Sequence, residues 1–167
     1  MGMRTTQRDT EFRDFYFAEA ASLRRLALLV GGDQASADDM AQEALLRAYR
    51  AWPRIKNEDP GPYVRQVLVN ICRSAHKRKL LEIRKRPAPM SDVATREPDI
   101  DEALRVARAL TVLSPIRRAV VVLRFYEDMT EAEIARVLDR PLNTVKSDLR
   151  RSLERLRPEL NEGVATS

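Results

Sequence analysis

A chain of 167 residues, 44% hydrophobic and 33% charged, has material for one ordinary domain or two small helical ones and is not disordered throughout. A single cysteine and a single histidine exclude an internal disulfide, a cysteine-cluster metal site and histidine-based zinc chemistry. Thirty basic against 25 acidic side chains leave a formal charge of +5, so where the arginines cluster matters more than the excess itself. Only five glycines interrupt a sequence rich in Ala, Leu and Arg, which favours helix over sheet throughout. No apolar run approaches the roughly 20 residues of a membrane span. Residues 1–10 lack the apolar stretch of a signal peptide. A cytoplasmic protein without membrane insertion is expected.

Apolar side chains at helical spacing run from Phe12 through Phe15, Tyr16, Leu23, Leu26 and Ala27 to Val30. They predict a first helix over 12–30, ended by Gly31-Gly32. A second helix is expected over 36–52, with Ala41, Ala44, Leu45, Ala48 and Trp52 as its buried stripe and Pro53 as its stop. On another side of it Asp39, Gln42, Glu43 and Leu46 form an acidic-polar stripe with one embedded leucine. Such a stripe suits a protein partner, against the bland alternative of a solvated face. A loop over 54–61 carries Lys56, Asn57, Glu58 and Asp59, and Pro62 suits the first turn of a third helix reaching 85. That helix is expected to bury Val64, Val67, Leu68, Ile71 and Ala75. Its Gln66, Asn70, Arg73 and Lys77, spaced by four, three and four, make a polar stripe that runs into Lys77-Arg78-Lys79. The helix macrodipole accounts for part of that basic end. Polar and basic side chains beside a loop also suit an unstacked base better than a closed duplex. His76 reads as a phosphate neighbour or an exposed side chain, and Cys72 as packing.

Composition shifts after Leu81. Arg84-Lys85-Arg86 gives way to Pro87 and Pro89 and then to acidic residues around Pro98, which predicts a linker over 86–98. Beyond it Leu104, Ala107 and Leu110 share a helix, and Ser114-Pro115 opens another over 116–125, Ser as cap and Pro in the first turn. Thr130-Glu131-Ala132-Glu133 has the spacing of a capping box at the head of a short helix ending near Leu138. Asp139-Arg140-Pro141 is a turn, and a last helix is expected over 142–157, before Pro158. There Val145, Leu149, Leu153 and Leu156 fall in one sector, with Asn143, Ser147, Arg150, Arg151 and Glu154 opposite. A capped helix, a tight turn and a second helix projecting Asn, Ser and Arg make the pattern of a helix-turn-helix. Arg and Asn are also the side chains that take guanine and adenine bidentately in the major groove.

Two stretches of this sequence resemble one family. The run Leu113-Ser114-Pro115-Ile116-Arg117-Arg118-Ala119-Val120-Val121-Val122-Leu123-Arg124-Phe125 resembles the opening of sigma region 4. Glu133-Ile134-Ala135, Leu138 and Thr144-Val145-Lys146-Ser147 are similar to its helix-turn-helix core. Asp38-Asp39, Gln42-Glu43 and residues 48–52 resemble the sigma region 2 helix that docks on the polymerase clamp. Val64, Asn70 and Arg78 resemble the promoter-melting helix that follows. Over 12–157 the chain is identified as a member of the extracytoplasmic-function sigma factors. The resemblance implies an all-α protein of two small helical domains, region 2 over 11–85 and region 4 over 99–160, joined by a flexible linker over 86–98. It implies docking on core RNA polymerase through Asp39, Gln42, Glu43 and Leu46. It assigns the −10 element of promoter DNA to Asn57, Asp59, Gln66, Asn70, Arg73, Lys77 and Arg78. The −35 element falls to Asn143, Thr144, Lys146, Ser147, Arg150 and Arg151. An anti-sigma factor is the implied regulator; no cofactor, metal or catalytic residue is. Asp139, Pro141 and Asn143 stand where the family often has Gly, Ser and Gly, Tyr63 where Trp is frequent and Ser74 where Asp is frequent, which bears on the promoter sequence read.

Other readings start from the same residues. A regulator with a helix-turn-helix output domain needs a ligand-binding or phosphorylation domain in front, and 12–85 shows no alternating strand pattern for a receiver. An enzyme needs a nucleophile–base set, a metal cluster or a Gly-rich phosphate loop, and the sequence offers none. A helical adaptor that binds only proteins is the third.

Overall fold

A computed structural model describes the backbone of residues 2–85 and 98–164 and the side chains of 6–85, 102–159 and 161. All regular structure among the described residues is helical: α1 (Gly2–Gly31), α2 (Gln34–Ile55), α3 (Pro60–Lys85), α4 (Pro98–Leu110), α5 (Pro115–Phe125), α6 (Glu131–Val137) and α7 (Leu142–Val164). The fold of the described residues is all-α, as the composition favours. The expected linker over 86–98 falls outside the described residues except for Pro98, which opens α4.

Helix α1 begins ten residues ahead of the apolar periodicity. Its first turns are tied to α2 by polar contacts that carry no periodic signal: the Tyr49 hydroxyl donates to Asp9 at 2.7 Å, and Lys56 pairs with Glu11 at 2.9 Å. Gly32 closes the helix at φ +72°, its N–H reaching the Leu28 carbonyl at 2.8 Å, a left-handed cap that glycine adopts at little cost. Asp33 follows at once as N-cap of α2, accepting from the Ala35 N–H and the Ser36 hydroxyl.

Pro53 does not stop α2, which continues to Ile55. A proline inside a helix leaves the carbonyl four residues back without its N–H donor. Here that carbonyl belongs to Tyr49, and the Arg8 guanidinium of α1 donates to it at 2.5 Å. The cost of the proline is met from another helix. Helix α3 likewise starts at Pro60, two residues before Pro62, because Asp59 accepts the Gly61 N–H at 3.0 Å. The loop before α3 therefore shrinks to 56–59.

The expected stripes of α1, α2 and α3 make most of the core, except that Tyr16 is exposed and Phe12 and Phe15 are only partly buried. Leu23, Leu26, Ala27 and Val30 pack with Ala41, Ala44, Leu45, Ala48 and Trp52 and with Val64, Leu68 and Ile71, all buried. Val67 and Ala75 are only partly so. Phe12 meets Trp52 edge-on, with ring centroids 5.1 Å apart. The later helices add Ala107, Leu110, Ala119, Val120, Leu123, Ile134, Val145, Leu149 and Leu156 to the same core. Leu153 is a correction: it is 41% exposed, while Ser152 is fully buried and its hydroxyl donates to the Asp148 carbonyl at 2.6 Å. At 3.6 residues per turn Leu153 points roughly 70° away from the Val145–Leu156 direction and Ser152 only roughly 30°. Helix α7 also runs through Pro158 to Val164 rather than ending at 157.

The two groups of helices pack on each other, α1 against α4 and α5, and α3 against α5 and α6. Polar anchors at this junction come from two buried arginines. Arg65 of α3 pairs with Glu127 at 2.7 Å and with Glu19 of α1 at 3.0 Å, and Ser22 donates to the same Glu127. Burial works against the charge of Arg65, but Glu127 and then Glu19 outweigh it and hold its pKa above the usual arginine value. Arg118 of α5 donates to the Val30 and Leu113 carbonyls, both at 2.9 Å. With carbonyls in place of a carboxylate, burial lowers its pKa.

Candidate nucleic-acid interface

Helices α6 and α7 form the helix-turn-helix. Thr130 caps α6 by accepting the Glu133 N–H at 3.2 Å, while the Glu133 carboxylate accepts the Thr130 N–H at 2.7 Å. The Thr130 N–H and, after it, the Thr130 hydroxyl at 2.8 Å both donate to the Glu133 carboxylate and hold its pKa below the usual value. The capping box is therefore complete. At the head of α5, Pro115 occupies the first turn, but the Ser114 hydroxyl makes no capping bond, so only half of that expected start signal is used. The turn after α6 places Asp139 at φ +49°, a conformation Asp tolerates better than most residues. Arg140 then donates its N–H to the Ala135 carbonyl, and the Pro141 carbonyl receives the first N–H bonds of α7, from Thr144 and Val145.

With Val145, Leu149 and Leu156 buried, Asn143, Lys146, Arg150 and Arg151 stand exposed on α7, and Thr144 and Ser147 are half-buried. All six expected −35 residues thus belong to one helix, but two are already engaged. Ser147 donates its hydroxyl to the Asn143 carbonyl at 2.8 Å, and Arg150 pairs with Glu154 at 3.2 Å on the open surface. The sequence reading missed three residues beside them. Asp148 is buried and accepts from Arg117 of α5 at 3.3 Å and from Arg140 of the turn at 3.2 Å. Spacing places Asp148 on the edge of the apolar sector, but the two arginines come from other elements and leave no local signal.

On α3, Asn70, Arg73, Lys77 and Arg78 are exposed and Gln66 is half-buried. Asn57 and Asp59 lie exposed in the preceding loop, where one Asp59 oxygen is taken by the Gly61 N–H. On α2, Asp39, Gln42 and Leu46 are exposed and Glu43 half-buried, paired with Arg47 at 2.8 Å. The two faces meet. A groove of about 340 Å³ between α2 and α3 is lined by Glu43, Arg47, Asn70, Ile71, Ser74 and Arg78. His76 is half-buried near Arg118 and Lys79; burial, then those two cations, lower its pKa and so disfavour the charged form that a phosphate contact would use. Burial pushes the Cys72 thiol up to about 12. Among the described residues no group of His, Cys, Asp and Glu could hold a metal ion, and no helix is long and apolar enough to cross a membrane.

Two family models match separate stretches of the chain. The family model for Sigma-70 region 2 matches residues 16–80, and that for Sigma-70 region 4 matches residues 103–156. The RNA polymerase sigma-E factor of Streptomyces coelicolor is 38% identical over 154 residues, covering 90% of this chain and 86% of that protein. The ECF RNA polymerase sigma factor SigL of Mycobacterium tuberculosis is 32% identical over 158 residues, covering 90% and 89%. Among solved structures, the sigma factor RpoE in complex with the anti-sigma factor NepR from Bartonella quintana shares the fold with a TM-score of 0.76 at 19% identity, covering 90% of this chain and 96% of that one. CnrH in complex with the cytosolic domain of CnrY gives 0.66 at 22% identity, covering 93% and 89%.

Proposed function

The chain belongs to the extracytoplasmic-function (ECF) RNA polymerase sigma factors, and on that premise we propose how its surfaces divide the work. It is an alternative sigma factor that directs core RNA polymerase to particular promoters and initiates transcription. The proposal assigns −35 recognition to α7, −10 recognition to the polar stripe of α3 with Asn57 and Asp59, and polymerase docking to Asp39, Gln42, Glu43 and Leu46 of α2. Region 2 is taken as 11–85 and region 4 as 99–160. The observation that carries the −35 assignment is the exposure of Asn143, Lys146, Arg150 and Arg151 on a helix whose opposite side is locked into the core. Arg150 or Arg151, with Asn143, reads base edges; Lys146, a point charge, holds a phosphate. The Arg150–Glu154 pair is no obstacle, because exposed pairs of this kind are weak and exchange readily for a stronger partner.

The test is transcription from a library of −35 variants. Replacing the base-reading arginine with Ala should cost about 1–3 kcal/mol and relax preference at one position. Lys146→Ala should weaken all sequences alike. If Arg150→Ala and Arg151→Ala both retain the full preference, α7 does not read the −35 element. The likeness to a sigma factor bound by an anti-sigma factor supports a further part of the proposal, that an anti-sigma factor regulates this chain too. The place of work is then the cytoplasm, beside polymerase and DNA.

A further inference from the structure

Asp148 is buried at the margin of the reading face, one helical turn from Thr144 and from Arg151. Its two oxygens are divided between two other elements: Oδ1 accepts from Nε of Arg117 in α5, and Oδ2 accepts from Nη2 of Arg140 in the turn. Each arginine therefore spends one nitrogen on Asp148. The side chains of Arg117 and Arg140 are 36% and 29% exposed, so both reach the surface beside α7, although Nε of Arg140 is buried without a partner. Two cations share one anion, which leaves a positive charge in excess beside α7. Stability alone does not call for two arginines on a carboxylate that a single bidentate arginine could satisfy.

We propose that Asp148 is a positioning residue that aims Arg117 and Arg140 at the DNA backbone, as phosphate contacts flanking the −35 bases. The inference rests on the reading of the −35 element by α7. An arginine fork suits this task, since one nitrogen can be held by the protein while the others meet phosphate oxygens. Phosphate contacts set register without reading sequence, and residues at the edge of a recognition helix are placed to do so.

The sign of one substitution separates positioning from simple electrostatics. Asp148→Asn removes a negative charge next to DNA, so charge alone would tighten binding and steepen its salt dependence. Loss of positioning does the opposite. Binding of the full chain with core polymerase to promoter fragments is measured at several salt concentrations, together with thermal melting. Asp148→Asn is expected to bind about tenfold more weakly, the size of one charged hydrogen bond lost, with no further loss when Arg117 and Arg140 are already Ala. Arg117→Ala and Arg140→Ala are each expected to weaken every −35 variant alike and to lower the salt slope by about one. Tighter binding by Asp148→Asn, or unchanged slopes in the arginine variants, overturns the proposal. Should Asp148→Asn melt prematurely, the two part-exposed arginine variants still decide it through their slopes. A wild-type chain that shows no −35 preference would instead sink the function of α7 itself.

Discussion

Cys72 is 1% exposed in the core of α1, α2 and α3, and burial pushes its thiol from 9.0 up to about 12. The thiolate is the reactive form, so at pH 8 the native protein should resist iodoacetamide, with labelling appearing only as denaturant unfolds it. A folded pKa above the unfolded one means that the native state holds the proton more tightly. The resulting stability is full below about pH 9 and is lost as pH rises from there towards 12. Comparing urea midpoints of wild type and Cys72→Ala across that range isolates the contribution; parallel curves would contradict it. Cys72 was legible as packing because it is the single cysteine and has none to pair with. Arg65, Arg118 and Asp148 were not, because what buries a charged side chain is a partner far away in sequence. Arg65 meets Glu127 across 62 positions and Arg118 meets the Val30 carbonyl across 88.

At the scale of helices, local chemistry was legible wherever neighbours in sequence are neighbours in space. The Gly32 cap, the Thr130–Glu133 box and the left-handed Asp139 all follow from short-range rules. Helix ends failed where a distant group repaired a local fault: Pro53 reads as a stop until Arg8 supplies the Tyr49 carbonyl with a donor. Thr130→Ala should cost about 1 kcal/mol in chemical denaturation, the usual price of an N-cap. Thr130→Ser should restore most of it. The α2 stripe is a matter of surface rather than stability. Reversing charge at Asp39 and Glu43 should leave helical content intact, although the Glu43 change also breaks the exposed pair with Arg47, which contributes little. Retention on immobilised core polymerase should fall, and unchanged retention would remove this face from the docking surface.

Across the whole molecule, the packing of the helices sets a limit on how promoter DNA is read. A folded chain of this length has a radius of gyration of about 15 Å and a width of about 40 Å. The −10 and −35 elements, about 25 base pairs apart, are separated by about 85 Å of B-DNA at 3.4 Å per base pair. The faces of α3 and α7 therefore cannot engage both elements while α1 and α3 hold α5 and α6. The buried contacts that must open are Arg65 with Glu127 and Arg118 with the Val30 carbonyl, whereas the Arg65–Glu19 pair joins α3 to α1 and stays. Losing the Glu127 charge leaves Glu19 alone on Arg65 and removes a charged hydrogen bond across the junction, about 1.5–3 kcal/mol, enough to shift a closed–open balance about ten- to a hundredfold. Fluorophores at Ala18→Cys and Arg157→Cys, both exposed, would report the distance between the halves while buried Cys72 stays unlabelled. Energy transfer should be high in the free protein and low with core polymerase and promoter together. Glu127→Gln should lower it in the free protein, because the neutral amide weakens the hold on Arg65 across the junction and leaves Glu19 alone to balance that charge. Transfer that stays high on the promoter complex would mean that both halves meet the DNA as one body, and that a single element is read at a time.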